Sequence, residues 1–381
     1  MNIKSLLLGS AAALIAVSGA RAADAVVVAE PEPAEYVRIC DVYGAGYFYI
    51  PGTETCLRVG GYIRYDAGFG HVGSFDGTKT VDRLNGKTQD TWYKNARFTL
   101  KTWTGQETEL GTLKTYTETR FNFGTGGALS TAGNKGVSLN FAWIQLGGLR
   151  IGRDESAFDT FTGYAGNVIQ DTLVPYGGFD TNLISYTFDA GNGFSAVVSL
   201  EQGSGAFSLV SRPGDTWVLD DNTIDSYAPH VVIGAKYTQG WGGISGVVAY
   251  NSSYEEWAGK VRLDVNATEQ LSLFIMGGYG TDDNIDRNFY KPWGGNWAVW
   301  GGGTYKVNEK TSLNAQVSYD DNKSLGVAAN VAYDIVPGFT VTAEVDYVHE
   351  GAWNDVDYLG SWTGADRKNS VGGLIRFQRN F

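Results

Sequence analysis

Histidine, methionine, cysteine and proline are all scarce here, at three, two, two and eight in 381 residues. With only His71, His230 and His349, and neither Gly-x-Ser-x-Gly nor His-Glu-x-x-His, the chain offers no catalytic dyad and no zinc site, so an enzyme is not expected. Gly68-Phe-Gly-His-Val-Gly73 has the spacing of a dinucleotide loop, but no helix follows to receive a pyrophosphate. Asp282, Asn284, Asp286 and Asn288 alternate like the start of a calcium loop. Arg287 stands where glycine is needed, however, and Trp293 where the closing glutamate belongs. No metal and no cofactor are expected. Excess positive charge is missing too: the net charge of −12 excludes nucleic acid as a natural partner. Past the N-terminus no apolar run approaches the roughly 20 residues of a membrane helix. Helical periodicity is almost absent, which leaves an all-β chain.

The first 22 residues read as an export signal: Lys4 in the n-region, an apolar stretch from Leu6 to Val17, and Ala20-Arg21-Ala22 as the cleavage site. Residues 23–56 follow as a periplasmic tether. Ala29-Glu-Pro-Glu-Pro-Ala-Glu35 has the composition of an unstructured linker, and Cys40 and Cys56, an even pair in an exported chain, are expected to close a disulfide loop of about 15 residues.

From residue 57 to 381 period-2 alternation takes over. Leu57, Val59, Gly61, Ile63 and Tyr65 share one face, and Arg58, Gly60, Tyr62, Arg64 and Asp66 the other. Trp257, Gly259, Val261, Leu263 and Val265 likewise oppose Lys260, Arg262 and Asp264. Further strands begin near Asn95, Leu113, Val137, Leu149, Asn182, Phe194, His230, Gly243, Leu271, Asn296, Thr311, Ser324, Phe339 and Ser370, for a total of about 16, an even number in the range of outer-membrane barrels. Short connections such as Ala190-Gly-Asn-Gly193 and Val336-Pro-Gly338 alternate with mostly long polar ones at 70–90, 124–136, 203–229, 281–295 and 350–369. A soluble sandwich has no reason to sort its loops this way; a membrane barrel does. Aromatics gather at strand ends, among them Tyr237, Trp241, Tyr250, Trp257, Tyr279, Trp297, Tyr305, Tyr319, Tyr333 and Tyr347, where interfacial girdles would lie. The last strand, with Val371, Ile375, Phe377 and Phe381 facing outward, ends on an aromatic.

Residues 147–180 open with a turn and a short strand, and then about two dozen residues interrupt the pattern. Phe158, Phe161 and Tyr164 recur every three residues, which predicts a helical turn, and a loop of this length and composition is folded and functional rather than disordered. Inward-facing basic residues concentrate on the early strands and the last: Arg58, Arg64, Arg97, Lys101, Lys114, Arg120, Arg150 and Arg376. The loop brings Asp154, Glu155, Asp159, Asp171 and Asp180 toward them. Arg64, Arg97, Arg120, Asp159 and Asp171 are expected at the narrowest ring, whose charges set selectivity. The net acidity points to a weak cation preference.

The sequence resembles the general porins of alphaproteobacteria, closest to the Brucella-type outer-membrane porins. The resemblance is carried by residues 37–58 with both cysteines, Ala142-Trp-Ile-Gln-Leu-Gly-Gly-Leu-Arg-Ile-Gly-Arg-Asp-Glu-Ser156, Thr160-Phe-Thr-Gly-Tyr164, Val336-Pro-Gly-Phe-Thr-Val-Thr342 and Ile375-Arg-Phe-Gln-Arg-Asn-Phe381. Arg379 departs from the usual apolar residue of the closing strand. The resemblance implies a homotrimer of 16-stranded antiparallel barrels in the outer membrane of a Gram-negative bacterium. Each barrel has its third loop folded into the pore, with a basic wall facing an acidic loop. Small hydrophilic solutes would diffuse through it, and outer-membrane lipid and lipopolysaccharide would surround it. A barrel with a plugged lumen, serving as an adhesin, a structural protein or an outer-membrane enzyme, is the alternative.

Overall fold

A computed structural model describes residues 38–381 apart from 73–74, 127–129, 206–208, 213–215, 220–221 and 352–366. The export signal and the first part of the tether therefore lie outside the described residues, as do parts of the long connections at 70–90, 124–136, 203–229 and 350–369.

Sixteen antiparallel strands close into a barrel. They are β1 (Cys56–Gly70), β2 (Tyr93–Thr108), β3 (Gly111–Gly126), β4 (Ser138–Leu146), β5 (Leu149–Glu155), β6 (Asp180–Asp189), β7 (Phe194–Glu201), β8 (His230–Gln239), β9 (Gly242–Asn251), β10 (Glu256–Asn266), β11 (Leu271–Gly280), β12 (Trp297–Asn308), β13 (Thr311–Asp320), β14 (Leu325–Val336), β15 (Phe339–His349) and β16 (Asn369–Asn380). Each begins within two residues of its expected start. Every strand pairs with its neighbour in sequence, and β16 returns to β1 from Tyr62↔Asn380 to Gly70↔Gly372, so no edge is left to pair in lipid. Two short strands, Phe48–Tyr49 on β1 and Thr131–Asn134 on β3, extend the sheet.

The outward face is apolar and bare. Ile63, Ile233 and Val345 are 58–61% exposed, an apolar surface that is stable only against lipid. The aromatic residues at strand ends form two belts on this face. Tyr250 lies 4.8 Å from Trp257, and Trp297 5.9 Å from Tyr319, beside the longer loops, while Tyr237, Trp241, Tyr305 and Tyr333 sit beside the short turns.

Cys40 and Cys56 are bonded across a sequence separation of 16, fastening the N-terminal segment to the foot of β1. Tyr43 then donates to Glu107 Oε1 at 3.0 Å. Replacing both cysteines by serine is expected to cost about 3 kcal/mol, the entropy of opening a loop of this size. The readout is the temperature at which the folded band disappears on unheated gels. An unchanged temperature would show that the closure stabilises nothing.

Candidate functional site

The third long loop starts where β5 ends. Ser156 caps a single helical turn, α1 (Ala157–Thr160): its Oγ accepts from the Phe158 N–H at 3.0 Å. Glu201 at the end of β7 holds the same turn, accepting from the Ser156 hydroxyl at 2.6 Å, the Ala157 N–H at 2.9 Å and the Tyr290 hydroxyl at 3.1 Å. Phe158, Phe161, Ala165, Val174 and Tyr176 then pack with Met276, Trp300, Phe289, Tyr290 and Trp293 in one buried cluster. By register Met276 and Trp300 share a face of β11 and β12. β8, β9, β11 and β12 are apolar on both faces at this height, as in Val231-Val232-Ile233 and Phe274-Ile275-Met276, because their inner face meets the loop rather than water.

Asp159 is fully buried and pairs with the equally buried Lys260 of β10 at 2.7 Å. Lys260 also donates to the Tyr176 carbonyl at 2.7 Å, and Asp159 accepts from the Phe179 N–H at 3.1 Å. The returning chain passes so close that a Cβ on Gly177 would lie 1.8 Å from Asp159 Oδ1, so only glycine serves there.

From α1 the loop is bonded to one strand after another. Trp300 Nε1 donates to the Val174 carbonyl at 2.8 Å, Gln316 Nε2 to the Asp171 carbonyl at 2.8 Å, and Asn330 Nδ2 to the Asn167 carbonyl at 3.1 Å. Glu344 of β15 accepts from the Ile169 and Gln170 N–H groups at 2.5 and 2.7 Å. Gln170 Nε2 donates to Asp76 Oδ1 at 2.7 Å, tying this loop to the first one.

Asp171 accepts from the Tyr176 hydroxyl at 2.5 Å, and burial pushes its carboxyl up to about 7. The folded protein therefore holds more protons than the unfolded chain between the usual carboxylate range and about pH 7. This group's contribution weakens as pH rises through that window and is level above it. Melting of the detergent-solubilised protein is expected to be higher at pH 5 than at pH 8, with Asp171→Asn narrowing the gap by about 2–4 °C. An identical gap in the variant would refute the assignment.

The basic residues occupy the other side. Arg64 faces Arg97 directly across β1 and β2, Arg120 faces Thr99, Lys101 faces Glu118, and Arg376 faces Asp66. Two carboxylates serve four of these cations. Asp66 meets Arg376 Nε at 2.7 Å and Arg64 Nε at 3.1 Å, while Glu118 meets Arg120 Nε at 2.7 Å and Lys101 Nζ at 3.2 Å. Arg97 donates to Asn122 Oδ1 at 2.8 Å. Arg58, Lys114 and Arg150 lie nearer the short turns, with Arg150 held by Asp154 at 2.6 Å.

Three of the residues expected at the narrowest ring are bonded or covered within the loops. Asp159 turns into the loop's own core, because β10 offers Lys260 as its partner, and the Asp171 carboxylate is taken by the Tyr176 hydroxyl within the loop. Arg64 is covered: its guanidinium lies 5.6 Å from the ring of Phe75 in the first long loop and 5.8 Å from that of Tyr62. Arg97, Arg120 and Lys101 remain partly exposed. Of the other loop acids, Glu155 accepts from the Tyr164 hydroxyl and Asp180 pairs with Arg153 at 2.9 Å. The anchors Glu201, Gln316, Asn330 and Glu344 went unnoticed in the sequence. Their signal was a polar residue on the inner face, common to every strand of such a barrel.

A family model described as a porin subfamily matches residues 24–374. Porin Omp2b of Brucella suis biovar 1 (strain 1330) is 52% identical over 387 residues, covering 100% of both chains, and Porin Omp2b of Brucella abortus (strain 2308) matches to the same extent. Among solved structures, the outer membrane channel DcaP of Acinetobacter baumannii superposes with a TM-score of 0.60 at 16% identity, over 87% of this chain and 99% of its own. The anion-selective porin from Comamonas acidovorans does so with a TM-score of 0.51 at 15% identity, over 86% and 100%.

Proposed function

The chain belongs to the Brucella-type porins, and we propose that its eyelet lies between the third loop and the basic wall of β1–β3 and β16. It is an outer-membrane channel through which small hydrophilic solutes diffuse passively. One observation carries the placement of the eyelet. Among the described residues the loop's hydrogen bonds to the barrel wall run to β7, β10 and β12–β15, and Arg97, Lys101 and Arg120 on β2 and β3 receive none of them. Solutes crossing the gap meet fixed guanidinium groups on one side and, on the other, the loop with Glu155, whose charge acts on Arg120. Such a transverse field orients polar solutes and disfavours apolar ones, which gain nothing from it.

The domain plan follows the sequence: a signal at residues 1–22, a periplasmic tether with its disulfide loop at 23–56, and the barrel at 57–381. The working unit is a homotrimer, set in outer-membrane lipid and lipopolysaccharide.

Single-channel recording in a planar bilayer tests this reading. Ohmic current entering in steps of three is the expected result. Protein that is folded by gel mobility yet electrically silent would favour a plugged or enzymatic barrel instead.

A further inference from the structure

On the inner face of β2–β4, toward the short turns, four aromatic rings stand in a row where a water-filled lumen calls for polar side chains. Register places Trp103 opposite Tyr116, and Tyr116 opposite Trp143, on the face that carries Arg58 and Glu118; Phe141 faces Glu118. The centroids of Trp103 and Tyr116 are 5.4 Å apart, those of Tyr116 and Phe141 5.4 Å, and those of Tyr116 and Trp143 5.6 Å. All four rings are half-buried. They differ from the apolar residues on the opposite side of the barrel, which are buried beneath the third loop.

Guanidinium groups close both ends of the row. Arg58 lies 4.7 Å from the Trp103 centroid and Arg150 4.1 Å from that of Trp143, good cation–π separations. Arg150 is committed, bonded to Gln145 and Asp154. Arg58 forms no ion pair among the described residues, and neither does Lys114, two positions from Tyr116 on the same face. Apolar ring surface beside uncompensated positive charge is the pattern of a binding site for a flat anion.

We propose that this row is a binding station for planar aromatic carboxylates on the periplasmic half of the pore. The rings take the arene and Arg58 and Lys114 take the carboxylate. The station lies below the eyelet, so it would retain such a solute after it has passed the narrowest ring. The proposal rests on the channel reading and deepens it.

The test uses the intact trimer in a planar bilayer, with 2-naphthoate added on the periplasmic side. Its saturated decahydro analogue and neutral 2-naphthol serve as controls. Brief concentration-dependent closures are expected with naphthoate, with dwell times about tenfold longer than for either control. Trp103→Leu or Trp143→Leu should shorten the naphthoate dwell about tenfold while leaving the open-channel current in place, and Arg58→Gln should shorten the dwell to the same extent. Either tryptophan variant suffices if the other fails to fold. Equal dwell for naphthoate and its saturated analogue would reduce the station to plain electrostatics and overturn the proposal. So would a conducting channel with no naphthoate events, which leaves the porin reading standing. A protein that does not conduct would sink both.

Discussion

Replacing Lys260 by methionine is expected to weaken the seat of the third loop by about 3–5 kcal/mol, because it strands the Asp159 carboxylate, fully buried, without its partner. Lys260 is wholly buried, bonds Asp159 and the Tyr176 carbonyl at 2.7 Å each, and lies 4.2 Å from the Phe158 ring. It thus joins both limbs of the loop to β10. Once detached, the loop no longer narrows the lumen, so single-channel conductance rises and the open current becomes noisier. The folded band should also be lost at lower temperature. Adding Asp159→Asn to Lys260→Met removes the orphaned charge yet keeps an acceptor for the Phe179 N–H, and should recover most of the loss. If the single variant matched the wild type in conductance and stability, the ion pair would not be the anchor.

Reversing Arg97 and Arg120 together to glutamate is expected to move the channel's selectivity toward cations by about tenfold in permeability ratio at 0.1 M salt. Arg120 pairs with Glu118 on its own strand, which also serves Lys101, and among the described residues Arg97 forms no ion pair. The double change shifts the local charge by four units, more than the neighbouring Arg64 and Lys101 can offset. Fixed charges within one Debye length, about 10 Å at 0.1 M, act on a passing ion, so the effect should shrink toward nothing at 1 M. Reversal potentials under a salt gradient measure it. A double variant with an unmoved potential would place the narrowest ring elsewhere, and the charges of β2 and β3 would then be ordinary solvated lumen groups.

The partition between reading and structure is instructive at particular residues. On β10 the alternation Trp257, Gly259, Val261 against Lys260, Arg262, Asp264 set the inner and outer faces, and the register agrees. Nothing in it marked Lys260 as different from Arg262. Yet Lys260 is sealed against Asp159, whereas Arg262 forks onto Asp264 at 2.7–3.0 Å and reaches the Tyr164 carbonyl. Asp159 and Asp171 were legible as loop carboxylates near a basic wall, but Asp159 turns to Lys260 and Asp171 to Tyr176. Charge and spacing say which groups share a loop; they do not say which wall it leans on.

The chain alone determined the sixteen strands, their faces, the sorting of turns from loops and the cysteine pair. Each of these follows from local periodicity or from the neighbours of one residue. Only the tertiary structure decided the course of the third loop, the burial of Arg64 under Phe75 and the aromatic row capped by Arg58 and Arg150. Those depend on contacts between side chains of different strands and loops, up to 175 positions apart for the third loop, where a side chain's partner is chosen by the closed sheet.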